Sequence, residues 1–277
     1  MNLLKQTLDL CKMYDIRPSK SKGQNFLVNK DIYDLIISTA DLKPDDVVLE
    51  VGPGLGIMTF KMSEKVKKVL AVELDDKLAN LLKTSIISQK RENIKIFNND
   101  VLKIRGENIS KIGKYKIVAN LPYNITSIFL RKFLSLNNKP ESIVLLLQKE
   151  VVDRIIATPP DMSLLSISVQ FYAEVFKIAE VSKENFYPAP KIDSAIIKIV
   201  PKKEKIFSDY QIEKKFFKLL RQGFSAKRKM LKNNLSLALS VKQERINEIF
   251  LSLNISPKCR AEDLSLNDWL KIFEKLK

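Results

Sequence analysis

Val47-Val48-Leu49-Glu50-Val51-Gly52-Pro53-Gly54-Leu55-Gly56 is a short Val/Leu-rich run that stops on a cluster of glycines. Residues 47–52 predict a buried strand, and the turn after it opens a helix. Three of the seven glycines in the chain fall within Gly52–Gly56. Glycine there lets the backbone turn sharply and approach a ligand that a Cβ would push away.

Working outward, four more runs predict strands: Val69–Leu74, Ile94–Asp100, Lys116–Leu121 and Ile143–Gln148. Most are apolar on both faces, as parallel strands covered by helices must be. Amphipathic stretches alternate with them: Asp31–Ala40, Met58–Lys65, Asp76–Ser88, Ser127–Leu136 and Glu150–Ala157. That alternation predicts a doubly wound α/β sheet. Val169–Phe176 and Ala195–Val200 lack a helix between them, so they are expected as antiparallel strands at one edge, for about seven in all. Pro201 opens a charged break, PKKEK, and beyond it the pattern is helical: Gln211–Leu220 continuing to Phe224, then Leu231–Leu239, Arg245–Leu253 and Leu266–Leu276. The expected division is an α/β domain over 1–200 and a small all-α domain over 201–277.

Composition removes whole classes of chemistry. The 277 residues contain no histidine, so a Ser-His-Asp triad, a Cys-His pair and a His-ligated metal are excluded. Cys11 and Cys259 lie near opposite ends, which excludes a cysteine-held zinc or iron–sulfur site and argues against a disulfide framework. No metal is expected. Charges interrupt residues 1–20, and runs such as Val144–Leu147 are far too short to cross a bilayer, so a cytoplasmic chain without a membrane partner is expected. The net charge of +16 points to a polyanionic partner. It is uneven: residues 201–277 carry 18 basic and 9 acidic side chains, against 30 and 23 in the first 200.

Two acidic residues extend the glycine turn into a candidate site. Glu73 ends the second strand, where a carboxylate can accept both hydrogen bonds of a ribose diol. Asp100 ends the third, placed to take the exocyclic amine of an adenine ring. NAD and S-adenosylmethionine both offer that adenosine, and a ligand-free strand–helix turn is the bland alternative. Asn120-Leu121-Pro122-Tyr123, closing the fourth strand, favours the sulfonium cofactor. An adenine N6 amine is a poor nucleophile because its lone pair is delocalised into the ring. An Asn oxygen plus the backbone carbonyl of Leu121 could accept both of its N–H groups. Pro122 stiffens the turn, and Tyr123 supplies a flat face for an extruded base.

These motifs, in this order, resemble the KsgA-like ribosomal RNA small subunit adenine N6,N6-dimethyltransferase family. Gly23-Gln24-Asn25-Phe26-Leu27, Leu147-Gln148-Lys149-Glu150 and Phe186-Tyr187-Pro188-Ala189-Pro190-Lys191-Ile192-Asp193-Ser194 agree with it. The resemblance runs from about Lys20 to the C-terminus. It implies a Rossmann-like S-adenosylmethionine-dependent methyltransferase sheet. Asn25, Leu27, Gly52, Glu73, Asp100 and Asn120 would hold S-adenosylmethionine. Asn120 and Leu121 would hold the target amine, while Tyr123 and Phe186 would sandwich the base. The implied reaction is dimethylation of two adjacent adenosines near the 3′ end of 16S ribosomal RNA. The implied partner is the assembling 30S subunit, met by a monomer. The loop after Phe186 departs mildly from the family, with Ala189 between two prolines.

Arg221 to Lys232 reads RQGFSAKRKMLK. Taken as a helix, it turns Phe224, Met230 and Leu231 inward while Arg221, Lys227, Arg228, Lys229 and Lys232 fan outward, a cluster suited to a phosphate backbone. The segment also resembles the family's Arg-Arg-Lys stretch. Cys259–Leu266 resembles its RAE-x-L-S stretch, with Ser265 expected to cap the last helix. That stretch helps set the chain apart from the antibiotic-resistance Erm methyltransferases, which modify large-subunit RNA and are the second reading. A non-catalytic RNA-binding factor on the same fold is the third.

Overall fold

The computed structural model describes residues 2–19 and 23–276. Its chain divides into two compact units, the first made of residues 1–152 and 174–201, the second of residues 153–173 and 202–277.

The first unit is a helix-covered sheet. Helix α1 (Leu3–Met13) precedes a two-residue strand β1 (Phe26–Leu27) and α2 (Lys30–Thr39). The glycine-ended run forms β2 (Val47–Val51) and leads into α3 (Ile57–Ser63); β3 (Lys68–Glu73), α4 (Asp76–Ser88) and β4 (Ile94–Asn98) follow. After the short α5 (Gly106–Ser110), β5 (Lys116–Asn120), α6 (Thr126–Leu134) and β6 (Ile143–Gln148) complete the parallel set. The chain then passes through α7 (Lys149–Ile156) into the second unit with α8 (Leu164–Tyr172), and β7 (Ala173–Val181), β8 (Phe186–Tyr187) and β9 (Ser194–Pro201) return it to the first.

Seven strands run in the order β4-β3-β2-β5-β6-β9-β7. Neighbours from β4 to β6 are parallel, and β9 is antiparallel to β6, with Leu145 opposite Ile197. The winding reverses between β2 and β5, both of which end in the suspected motifs. A crevice outside the carboxyl ends of strands at such a switch point is where open α/β sheets take ligands. Val48, Val69, Val118, Val144 and Ile196 are buried in the core between sheet and helices. β1 and β8 form a separate antiparallel pair, Leu27 opposite Phe186.

The second unit adds α9 (Tyr210–Gly223), α10 (Leu231–Leu239), α11 (Gln243–Ser252) and α12 (Leu266–Lys275). Aromatic rings hold it together. Phe171 stacks on Phe216 at 5.5 Å, Phe216 meets Phe273 edge-on at 5.4 Å, and Phe224 stacks on Trp269 at 5.6 Å. Ser265 caps α12 reciprocally with Asp268, its hydroxyl accepting the Asp268 N–H at 3.2 Å. No helix among the described residues is long and apolar enough to cross a membrane.

Three expectations need correction. Residues 169–172 close helix α8, and the strand begins only at Ala173. A short apolar run does not distinguish the two periods, and the Ser163–Ser166 capping box decides for helix. Residues 153–173, expected in the first domain, cluster with the C-terminal helices, where Phe171 joins the aromatic core. Arg221–Lys232 is not one helix: α9 ends at Gly223, residues 224–230 are a turn, and α10 starts at Leu231. The side-chain amide of Asn234 donates to the carbonyls of Gly223 (2.7 Å) and Ala226 (3.2 Å), taking up groups that a continuing helix would have used. Met230 consequently stands 38% exposed instead of entering the core.

Candidate active site

The glycine turn shapes a cavity of about 260 Å³ within the first unit. Gly52, at φ +67°, donates its N–H to the carbonyl of Val72 (2.9 Å), which locks the turn onto β3. Gly56, at φ +83°, starts α3, and a Cβ there would stand 2.5 Å from Leu82 Cδ1. Both positions therefore require glycine.

Glu73 is built into this turn. Its Oε2 accepts the N–H of Gly54 at 3.1 Å and its Oε1 that of Asp75 at 2.9 Å. Burial, with 6% of the residue exposed, pushes its carboxyl above the usual range, and the two amides oppose that shift. Asp100 caps the turn after β4, its Oδ1 accepting the Leu102 N–H at 2.8 Å. Asn120, at the end of β5, donates from Nδ2 to the carbonyl of Asn25 at 3.2 Å. That bond leaves Oδ1 as the accepting end of the carboxamide. Asn25 and Leu27 are carried in by β1, which β8 holds through the Leu27–Phe186 register.

Asn25, Leu27, Gly52, Glu73, Asp100, Asn120 and Pro122 thus line one cavity. Two expected residues do not. Leu121 is 1% exposed and donates its N–H to Leu146 at 3.3 Å. Phe186 is 4% exposed and belongs to the core cluster with Tyr33 and Val181. Its ring is taken up by that core rather than offered to the crevice, because the β1–β8 pairing pulls residue 186 beneath the N-terminal segment. The side chain of Tyr123 lies outside the described residues.

Sequence reading missed Glu50. It sits in β2, fully buried, lines the cavity, and neither carboxylate oxygen has a hydrogen-bond partner. Burial lifts its carboxyl to about 8, against the nearby Thr59 hydroxyl, which draws it down, and with the negative charge of Glu73, which adds to the rise. Tyr33 is its neighbour from α2; the hydroxyl donates to the Leu27 carbonyl at 2.9 Å, and burial and Glu50 push its titration up. One acid in the otherwise apolar VVLEV was the available signal. Glu50, Glu73, Asp75 and Asp100 line the cavity, and among the described residues none of its lining is Lys or Arg. An orphaned buried carboxyl asks for a proton or a cation. The set therefore fits a nucleoside that carries positive charge. Among the described residues no group of three or more His, Cys, Asp or Glu is placed to hold a metal ion.

In the second unit, Arg221, Lys227, Arg228 and Lys229 are exposed and Lys232 is half-buried. Lys214, Lys215 and Lys218, not singled out from the sequence, are exposed on α9 opposite buried Phe216, Leu219 and Leu220. Lys214, Lys218 and Arg221, at i, i+4 and i+7, were legible as a helix face.

Comparisons with known proteins bear on this site. Residues 17–277 match the model of the family described as ribosomal RNA adenine dimethylase. A relative from Dehalococcoides mccartyi named ribosomal RNA small subunit methyltransferase A is 40% identical over 274 residues, covering 98% of this chain and 92% of the relative. A relative of the same name from Mycoplasmopsis pulmonis is 38% identical over 264 residues, covering 95% and 100%. Among solved structures, a dimethyladenosine transferase from Plasmodium falciparum superposes with a TM-score of 0.75 at 28% identity, covering 89% of this chain and 95% of that one. The 23S rRNA methyltransferase ErmE, at 24% identity and a TM-score of 0.73 over 91% and 99% of the two chains, shares the fold. By its match to the family model over nearly its whole length, the chain belongs to the ribosomal RNA adenine dimethylase family.

Proposed function

We infer that this chain transfers methyl groups from S-adenosylmethionine to N6 of two adjacent adenosines near the 3′ end of small-subunit ribosomal RNA. Each base becomes N6,N6-dimethyladenosine, within the assembling 30S subunit and with a single chain as the working unit. The observation that carries this reading is the Asn120 carboxamide: it borders the same cavity as Glu73 and Asp100, and with its Nδ2 donating to Asn25 its oxygen is the end left to accept.

When bound, S-adenosylmethionine supplies an electrophilic methyl on a sulfonium. Glu73 holds the ribose diol through carboxylate oxygens that the Gly54 and Asp75 amides have already oriented. Asp100 accepts from the cofactor's adenine amine. Glu50, without a partner of its own, provides counter-charge on the cavity floor. Asn120 Oδ1 and the Leu121 carbonyl accept the N–H groups of the target amine, which concentrates its lone pair toward the methyl. The transfer would join that methyl to nitrogen, with the C–S electron pair left on sulfur and the amine proton released to solvent. No side chain with an ordinary general-base pKa is needed, in keeping with a chain that has no histidine. Tyr123 provides the stacking face for the base. Phe186 supports the site from beneath by holding β1. The exposed cations of α9 and the following turn bind the RNA backbone.

Transfer of labelled methyl from S-adenosylmethionine to undermethylated small subunits tests the reading, with large-subunit RNA as the parallel substrate. Label recovered as N6,N6-dimethyladenosine in small-subunit RNA is expected. Label in the large-subunit RNA alone would replace the substrate, and none in either would remove the reaction.

A further inference from the structure

Lys132 lies on α6, the helix that begins just after Asn120-Leu121-Pro122-Tyr123. Its neighbours Phe129, Leu130 and Phe133 are buried, and its stem runs beside them. The ammonium does not reach for a carboxylate or for open solvent. It donates to three backbone carbonyls of one turn, those of Val101 (3.1 Å), Leu102 (2.7 Å) and Ile104 (2.5 Å). An ammonium has three donors and this turn uses all of them.

The turn so held is the one that Asp100 opens. Residues 101–103 form a 3-10 helix with Asp100 at its N-cap, and the Lys103 N–H returns to the Asp100 carbonyl at 2.9 Å. A helical turn that short leaves most of its carbonyls without internal partners. Lys132 supplies the missing donors at one end while the Asp100 carboxylate takes the Leu102 amide at the other. Partial burial draws the Lys132 titration down and the charge of Asp100 draws it up, so the two groups feel one another across the turn.

We propose that Lys132 is a positioning residue for cofactor recognition: by fastening residues 101–104 to α6 it fixes the Asp100 carboxylate in the orientation that selects a 6-amino purine. This rests on the assignment of Asp100 to the cofactor's adenine amine. It also gives the adenine-binding turn and the target-base motif a common anchor, since β5 and α6 flank that motif.

The test is a binding measurement on the full chain. Calorimetry with S-adenosylhomocysteine and with S-inosylhomocysteine, whose 6-oxo group offers Asp100 a lone pair instead of an N–H, gives a selectivity ratio. Replacing a charge-assisted hydrogen bond by repulsion makes that ratio about 10- to 100-fold in the wild type. Lys132→Met keeps the stem and removes the donors. It should weaken S-adenosylhomocysteine about tenfold while moving the inosyl ligand less than about twofold, so that selectivity collapses. In an Asp100→Asn background the same substitution should change affinity less than about twofold. Equal weakening of both ligands, an unchanged ratio, or a further tenfold loss without Asp100 would overturn the role of Lys132. Failure of the wild type to bind S-adenosylhomocysteine would sink the cofactor reading itself. Wild-type binding without selectivity would sink the Asp100 assignment. A thermal melt of the ligand-free variant checks folding, and Lys132→Gln, read by the same ratio, replaces Met if that variant does not fold.

Discussion

Replacing Glu50 by Gln isolates the charge on the cavity floor. In an unfolded chain its carboxyl titrates at 4.5; in the fold, burial raises it to about 8, and Glu73 and Tyr33 face it without a cation among them. A carboxyl raised by folding favours the folded state fully below its unfolded value, and that contribution is lost as pH climbs through the folded one. The window is therefore pH 4.5 to 8, with a slope of about 1.4 kcal/mol per pH unit. At pH 7 the wild type has lost about 3 kcal/mol, and above pH 8 the loss levels off near 5 kcal/mol. Gln has nearly the shape of the protonated acid and does not titrate, so E50Q escapes the loss. Urea unfolding of the ligand-free protein, followed by far-UV circular dichroism from pH 4.5 to 9, reads the difference directly. The stability of E50Q relative to wild type should rise by about 3 kcal/mol between pH 4.5 and 7, continue toward about 5 kcal/mol, and flatten only above pH 8. A difference constant to within about 0.5 kcal/mol across the window would refute the reasoning, since it would mean the Glu50 carboxylate finds water or a cation in the folded chain.

Three other substitutions probe separate parts of the molecule. Gly223→Ala puts a Cβ 2.2 Å from Cη2 of Trp269, a ring that is fully buried and cannot swing away. The second unit should lose about 2 kcal/mol, read from the fluorescence of this single tryptophan in urea, and unchanged stability would mean the ring has room to move. Asn120→Ala removes both the accepting oxygen and the tie to Asn25; methyl transfer should fall at least about 100-fold while cofactor affinity drops less than about tenfold, and equal losses in both would assign Asn120 to cofactor binding alone. Reversing the charges of Lys227, Arg228 and Lys229 should weaken RNA binding and reduce its dependence on salt by about one logarithmic unit for each phosphate no longer neutralised, whereas an unchanged salt slope moves the RNA footprint elsewhere.

The sheet was legible because most of its central strands are apolar on both faces and are followed by residues that apolar packing does not explain: Gly52 after β2, Glu73 closing β3, Asn120 closing β5. Asp100 is expected from the sequence to end the third strand, but β4 stops at Asn98 and Asp100 caps the turn two residues beyond. What escaped depends on partners distant in sequence. The period of LLSISVQFY fits strand or helix, and only the Ser163–Ser166 cap and an aromatic partner on α9 choose helix. Phe186 reads by resemblance as a base-stacking residue, yet the pairing that buries it is set by Leu27, far away in the chain. Lys132 reads as one lysine among many until its three carbonyls are in view. Glu50 reads as part of a strand until its burial in the cavity wall is in view.

Charge is segregated in a way that suits the chemistry. The chain carries +16, but the cavity is lined by Glu50, Glu73, Asp75 and Asp100, with no basic side chain among the described lining residues. On the proposed function, such a crevice would repel a polyanion, so the RNA backbone would be held by exposed cations elsewhere and an uncharged base would enter. A cofactor carrying positive charge would be attracted, and that charge would fall when the methyl left. The same carboxyls would then bind the spent thioether less tightly than the sulfonium, which would favour exchange between successive transfers. Full ionisation of these carboxyls would also stabilise the reactant cation more than the transition state, in which that charge is being spread, and would slow the chemistry. Burial counters this. With its carboxyl raised to about 8, Glu50 is mostly neutral at pH 7 in the ligand-free chain, and its negative charge develops only as far as a bound cation draws it out.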